Sequence, residues 1–175
     1  MTKHVDPNQA TIDYARAKLA TNLEQIVRCV RLLDADQLWH RANEHTNSVG
    51  NLLLHLNGNV SQWILGGVDG QEIRRDRPAE FAERGPLPAE QVLSRLETTV
   101  RAALDALERL EPARLGETRM IQGYEVCLAA ALMHVVEHFS FHTGQIVHIT
   151  KELRDVDLSL YDEQGHKLER GDVRP

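Results

Sequence analysis

Cysteine is scarce in this chain. Its two cysteines, Cys29 and Cys127, form no CxxC pair and fall in helical patterns beside apolar neighbours. That excludes a disulfide framework and reads both as small core residues. Long hydrophobic runs are missing as well. None approaches the roughly 20 residues that span a bilayer, and the opening MTKHVDPNQ lacks an apolar signal segment. A soluble cytoplasmic protein is expected, with no membrane partner. Positive charge is in deficit: 20 Lys and Arg against 26 Asp and Glu leave a formal charge of −6. This argues against binding nucleic acid or an anionic surface. Repeats and low-complexity tracts are absent.

What remains is an ordinary globular composition, 42% hydrophobic over 175 residues. One compact domain of that length buries roughly 70% of its unfolded surface. Asp6-Pro7 opens a first helix, with Gln9 three residues after the cap, and Ile12, Leu19, Leu23, Ile26, Val30 and Leu33 repeat at helical spacing. A second helix starts near Asn47-Ser48 and stops at Gly66-Gly67. The Gly-, Pro- and charge-rich stretch that follows reads as a long crossover. Pro88 starts a third helix, striped by Leu93, Leu96, Val100, Leu104 and Leu107, and Pro112 stops it. Residues 117–126 alternate around Gln122-Gly123, which suggests a short extended piece or turn. The fourth helix covers about 126–153, with Leu128, Leu132, Val135, Phe139 and Ile146 on one flank and Met133, Val136 and Val147 at the back. A helix apolar nearly all round belongs inside a bundle. The polar tail from Asp155 reads as a loop or an oligomer arm. The expected architecture is all-α: a four-helix bundle with long crossover connections.

The fourth helix contains HVVEHFSFHTGQIVHI, where His134, His138 and His142 recur every four residues within an arc of about 80° that also holds Gln145. A single inward histidine is usually satisfied by backbone or water. Imidazoles at i and i+4 project from adjacent turns and can share one metal ion, and three in register are hard to explain by packing alone. The second helix places His55 at the edge of its Leu52, Leu56, Val60 and Trp63 stripe, among Ser48, Asn51, Asn59 and Gln62. Two such seams form a metal pocket with amides around it, and His134 is either a neighbour of the pocket or an alternative ligand. His148 faces the seam's other edge, while His4, His40, His45 and His166 lie at ends or in polar loops and are expected on the surface.

The chemistry can be narrowed by what the motifs omit. HFSFH is not HExxH, because Phe139 stands where a zinc protease keeps its general-base glutamate. A di-iron carboxylate centre needs inward Glu-x-x-His motifs, and Glu163 to His166 in the tail is the one example. A mononuclear site of three neutral imidazoles is left, with a position open to water or substrate. Nitrogen donors suit zinc, nickel, iron or copper alike. Asn51, Asn59 and Gln145 read equally well as groups that steady a ligand and as ordinary helix–helix hydrogen bonds. Arg74, Arg75 and Arg77 are expected in a solvated loop with Asp76 and Glu80.

EHFSFHTGQI resembles the last-helix signature of the DinB-like superfamily, in which two histidines four apart are followed by Gly-Gln. SVGNLLLHLNGNVSQWILGGV resembles that superfamily's second helix, with its single ligand histidine, and RRDRPAEFA and IQGYEV look like one bacterial subgroup. The likeness covers nearly the whole chain. It implies a crossover four-helix bundle, commonly a homodimer, with one divalent metal on His55, His138 and His142. It sets His134 outside the ligands. It further implies thiol S-transferase or isomerase chemistry with a low-molecular-weight thiol. A hydrolase using bound water, or a metal-stapled protein without chemistry, are the rival expectations. Glu137 is turned away from His138 and His142, which offers a hydrolase no evident base.

Overall fold

The computed structural model describes residues 5–85, 87–160 and 164. Four long helices carry the architecture: α1 (Pro7–Val30), α3 (Val49–Val60), α5 (Ala89–Glu108) and α6 (Leu128–Arg154). Between them lie two short helices, α2 (Ala35–Trp39) and α4 (Arg77–Ala82), a 3₁₀ turn at Pro112–Gly116, and a hairpin of β1 (Thr118–Ile121) and β2 (Tyr124–Cys127). Helices α1 and α3 each pack on both α5 and α6. The ring order is therefore α1–α5–α3–α6, with consecutive long helices α1 and α3 on opposite corners. This is the crossover bundle expected from the pattern. Among the described residues no helix is long and apolar enough to cross a membrane.

Capping explains where the helices begin. The Asp6 carboxylate accepts from the Asn8 amide at 3.0 Å, and Pro7 sits in the first turn, where its missing N–H is no loss. Gln9 does not close a capping box; its amide donates to Asp13 instead, 2.9 Å away. At α3 the box is complete, since Ser48 Oγ accepts from the Asn51 amide while Asn51 Oδ1 accepts from the Ser48 amide. Helix α3 then runs on into a π-helical segment, Ser61–Val68, which ends at the expected glycines. Gly67 is required by packing: a Cβ there would overlap the Ile121 side chain of the hairpin. The hairpin turns on Gln122 and Gly123, at φ 54° and 83°, the positive pair that a two-residue turn between twisted strands needs.

The core follows the predicted stripes. Leu19 and Ile26 of α1, Leu52, Leu56 and Val60 of α3, Leu96, Val100 and Leu107 of α5, and Leu128, Val135, Phe139 and Ile146 of α6 are all buried. Each such side chain contributes about 1.5–3 kcal/mol by leaving water. Two expectations need correction. Helix α6 starts at Leu128 rather than 126, because Val126 and Cys127 are paired to β1. It is not enclosed on all sides either: Met133 and Phe141 are exposed, since only part of its circumference meets other helices. Residues 155–160 carry no helix, and within them Leu158 is buried, its carbonyl accepting from Arg28. His4, His166 and Glu163 lie outside the described residues.

Candidate metal centre

Helices α3 and α6 meet along their polar seams. His55 projects from the middle of α3, and His138 and His142 from successive turns of α6. One ligand-capable atom of each lies within 4.8 Å of those of the other two. The rings stand edge-on to one another, at 70° (His55–His138), 88° (His55–His142) and 83° (His138–His142), with centroids 4.5 to 5.1 Å apart. The rings are thus packed edge to face, each with a nitrogen close to those of the others. His55 Nε2 lies 2.8 Å from His138 Nε2.

Two of the other ring nitrogens face acceptors. His142 Nδ1 lies 2.6 Å from Gln145 Oε1, and His55 Nδ1 lies 2.9 Å from Glu80 Oε2 and 3.2 Å from Arg75 Nη2. A carboxylate accepts only, so the nearer partner assigns the proton to His55 Nδ1, which donates to Glu80. An imidazole that donates through Nδ1 keeps its lone pair on Nε2. Burial, and then the neighbouring imidazoles of His142, His55 and His134, push His138 down from the ordinary 6.5 to about 3. Burial also lowers His142, against the opposing hydrogen bond to Gln145. These two members are therefore held neutral, as metal ligands must be.

His134 stays outside this group. Its ring lies against Trp63, with centroids 4.1 Å apart, and is stacked on His138 at 5.5 Å. Its Nε2 is 3.4 Å from Asn59 Nδ2. The Asn59 side chain is buried, and its Oδ1 has no partner. Gln145 is the amide that steadies a histidine of the group. Asn51 does not touch one: its Nδ2 donates to the carbonyls of Glu80 and Glu83, so it tethers α4. Glu137 is exposed on α6, as its angle implied. His40, His45 and His148 are exposed, also as expected.

The expectation of a solvated arginine loop fails at two positions, Arg75 and Glu80. Arg74 is 93% exposed, but the Arg75 side chain is 6% exposed and Glu80 9%. Arg75 grips both oxygens of Glu80, Nε to Oε1 at 2.6 Å and Nη2 to Oε2 at 2.9 Å, and its Nη1 donates to Gln62 Oε1 at 2.8 Å. Arg77 lies over the Phe81 ring instead. Burial alone would raise the Glu80 carboxyl, but the hydrogen bonds and charges of Arg75 and His55 outweigh it and hold it below the usual range. The missed signal was Gly58, a residue that costs a helix interior about 1 kcal/mol relative to alanine. It sits one turn beyond His55, where a Cβ would overlap Glu80 Oε1 and Arg75 Nε.

Residues 7–161 match the family model described as Protein of unknown function (DUF1572). The chain belongs to this family. The match takes in the three histidines, Gln145, and the Arg75–Glu80 pair, so the whole constellation lies within the DUF1572 region. No curated protein matches the chain. The family description assigns no reaction to the DUF1572 fold, and the chemistry of the site has to be argued from its side chains.

Proposed function

We propose that the chain is a DinB-like metalloprotein. One divalent ion is held by His55, His138 and His142, and a small molecule, in the first place a low-molecular-weight thiol, is bound and activated at the ion's remaining position. One observation carries this reading: His55 Nε2 and His138 Nε2 lie 2.8 Å apart while His55 Nδ1 is already committed to Glu80. Two ring nitrogens at that distance share a proton while no ion is bound. An ion taking that proton's place would also meet the third imidazole, whose donor atom lies within 4.8 Å of theirs, in a set that suits zinc, nickel or iron.

The residues fit such an ion in number as well as in kind. Among the described residues the group closes at three histidines, with no cysteine or carboxylate joining it. Three protein ligands leave a position for an exchangeable molecule, which favours a catalytic site over a structural staple. A bound divalent ion lowers the pKa of a thiol or water that it holds. The unpartnered Asn59 Oδ1, one turn along α3 from His55, is suited to accept from an N–H or O–H of the ligand. A thiol is favoured over hydrolysis because, among the described residues, no carboxylate at the site stands ready as a base: both Glu80 oxygens are engaged by Arg75, and Glu137 faces solvent. Homodimerisation and a cytoplasmic location belong to the same reading, and a monomer in sedimentation would remove the first.

Metal analysis of the purified chain, followed by thiol titration of the cobalt-substituted form, tests the proposal. About one ion per chain and a change in the cobalt absorption at millimolar thiol are expected. A folded protein indifferent to zinc and nickel would end the metal reading; an unchanged cobalt spectrum would end the thiol reading alone.

A further inference from the structure

We propose that Glu80, clamped by Arg75, is the positioning residue of the three-histidine centre: it holds His55 with Nε2 turned to the cation and so makes the crossover part of the metal site. The inference rests on the metal reading above and adds a group that supplies no ligand atom.

Geometry supports it from four directions. First, the carboxylate is aimed. Glu80 Oε2 takes His55 Nδ1–H at 2.9 Å, and a carboxylate behind a ligating histidine fixes both its tautomer and its ring orientation. Second, the carboxylate is itself immobilised. Arg75 holds both oxygens in a forked pair, and its remaining Nη1 is anchored by Gln62 on the helix that carries His55. Third, the backbone bearing Glu80 is tied to the start of α3, because Asn51 donates to the carbonyls of Glu80 and Glu83 at 3.0 and 2.9 Å. Fourth, α3 makes room. Gly58 has no side chain where one would strike Glu80 Oε1. Phe81, the next residue on α4, lies against the His55 ring with centroids 4.7 Å apart. The crossover therefore holds that imidazole at its edge and on its face.

A buried ion pair that served only as a strut could be exchanged for apolar groups with little effect on stability. The bond to His55 is what such an exchange would lose. Because coupling is reciprocal, an ion that selects the oriented His55 also favours the closed crossover.

Zinc affinity measured by chelator competition on the full chain, together with nitrogen NMR of the imidazoles in the metal-free protein, provides the test. Glu80→Gln, which keeps an acceptor oxygen but loses the charge, should weaken zinc about 10–100-fold and reduce the Nδ1–H preference of His55. Gly58→Ala, which leaves the carboxylate in the sequence but denies it its place, should act in the same direction, and Arg75→Lys more weakly. Wild-type affinity in a folded Glu80→Gln variant would overturn the proposal while leaving the metal reading intact. Failure of the wild type to bind zinc would sink both. Should Glu80→Gln not fold, the wild-type spectrum still decides: a proton on His55 Nε2 with Nδ1 bare overturns the assignment.

Discussion

Histidines gather at two places on this chain. His55, His138 and His142 meet between α3 and α6, while His40, His45 and His148 line an open cleft of about 440 Å³ together with Glu152 and Leu153. Each place has three imidazoles, and Gln145 borders both, lining the cleft while it accepts from His142. Number does not separate the two sets. The inner one has buried or half-buried rings, nitrogens close to one another, and acceptors behind two of its members. The outer one is exposed, and its ring nitrogens do not gather within ligating distance of each other. A metal site is made by desolvation and oriented partners, not by local abundance of histidine.

Truncation separates the two sets of histidines most directly. Alanine at His138 or His142 should abolish stoichiometric zinc binding, while alanine at His40, His45 or His148 should leave it unchanged, as measured by metal analysis of the folded variants. Retained binding at His138→Ala would mean that the inner set is merely packed. Gln145→Leu is the next largest, with zinc affinity expected to fall about 10–100-fold for loss of the acceptor behind His142. His134→Ala should weaken binding less than either, because its ring contacts Trp63 and His138 rather than the meeting point.

Stability against pH in the metal-free protein separates the two sets without any ion. Because His138 titrates at about 3 in the fold and near 6.5 when released, the unfolded chain binds more protons between those values. Stability should therefore decline as the pH is lowered from about 6.5 toward 3. The lowered His134 and His142 act in the same direction, and Glu80, depressed from 4.5, adds to the loss at the acid end. Denaturant titrations across this range check it, and His138→Ala should flatten the slope.

Much of this was legible in the residues themselves. Asp6-Pro7 and Ser48 announce their helices because capping is local chemistry, and the four-residue spacing of His134, His138 and His142 places them on one face by helix geometry alone. Adding His55 needed a second polar seam. Arg75 and Glu80 were not legible, since charge in a Gly- and Pro-rich stretch looks solvated until tertiary packing buries it. Met133 misled for the opposite reason: an apolar residue on α6 says nothing about how many neighbours that helix has. Cys29 behaved as a small core residue, buried, with its thiol pushed up to about 11 by desolvation.

The π-helical segment after α3 has a consequence of its own. Between Ser61 and Val68 the backbone winds more loosely than in the turns before it. This spare winding acts as a phase adjuster, uncoupling the angular setting of His55 from that of the glycines beneath the hairpin. Deleting a single residue from the segment would turn everything downstream by roughly a quarter-turn relative to α3. The hairpin's Ile121 would then face a side chain instead of the gap left by Gly67. The chain should tolerate point changes on the outer surface of this segment far better than any change in its length.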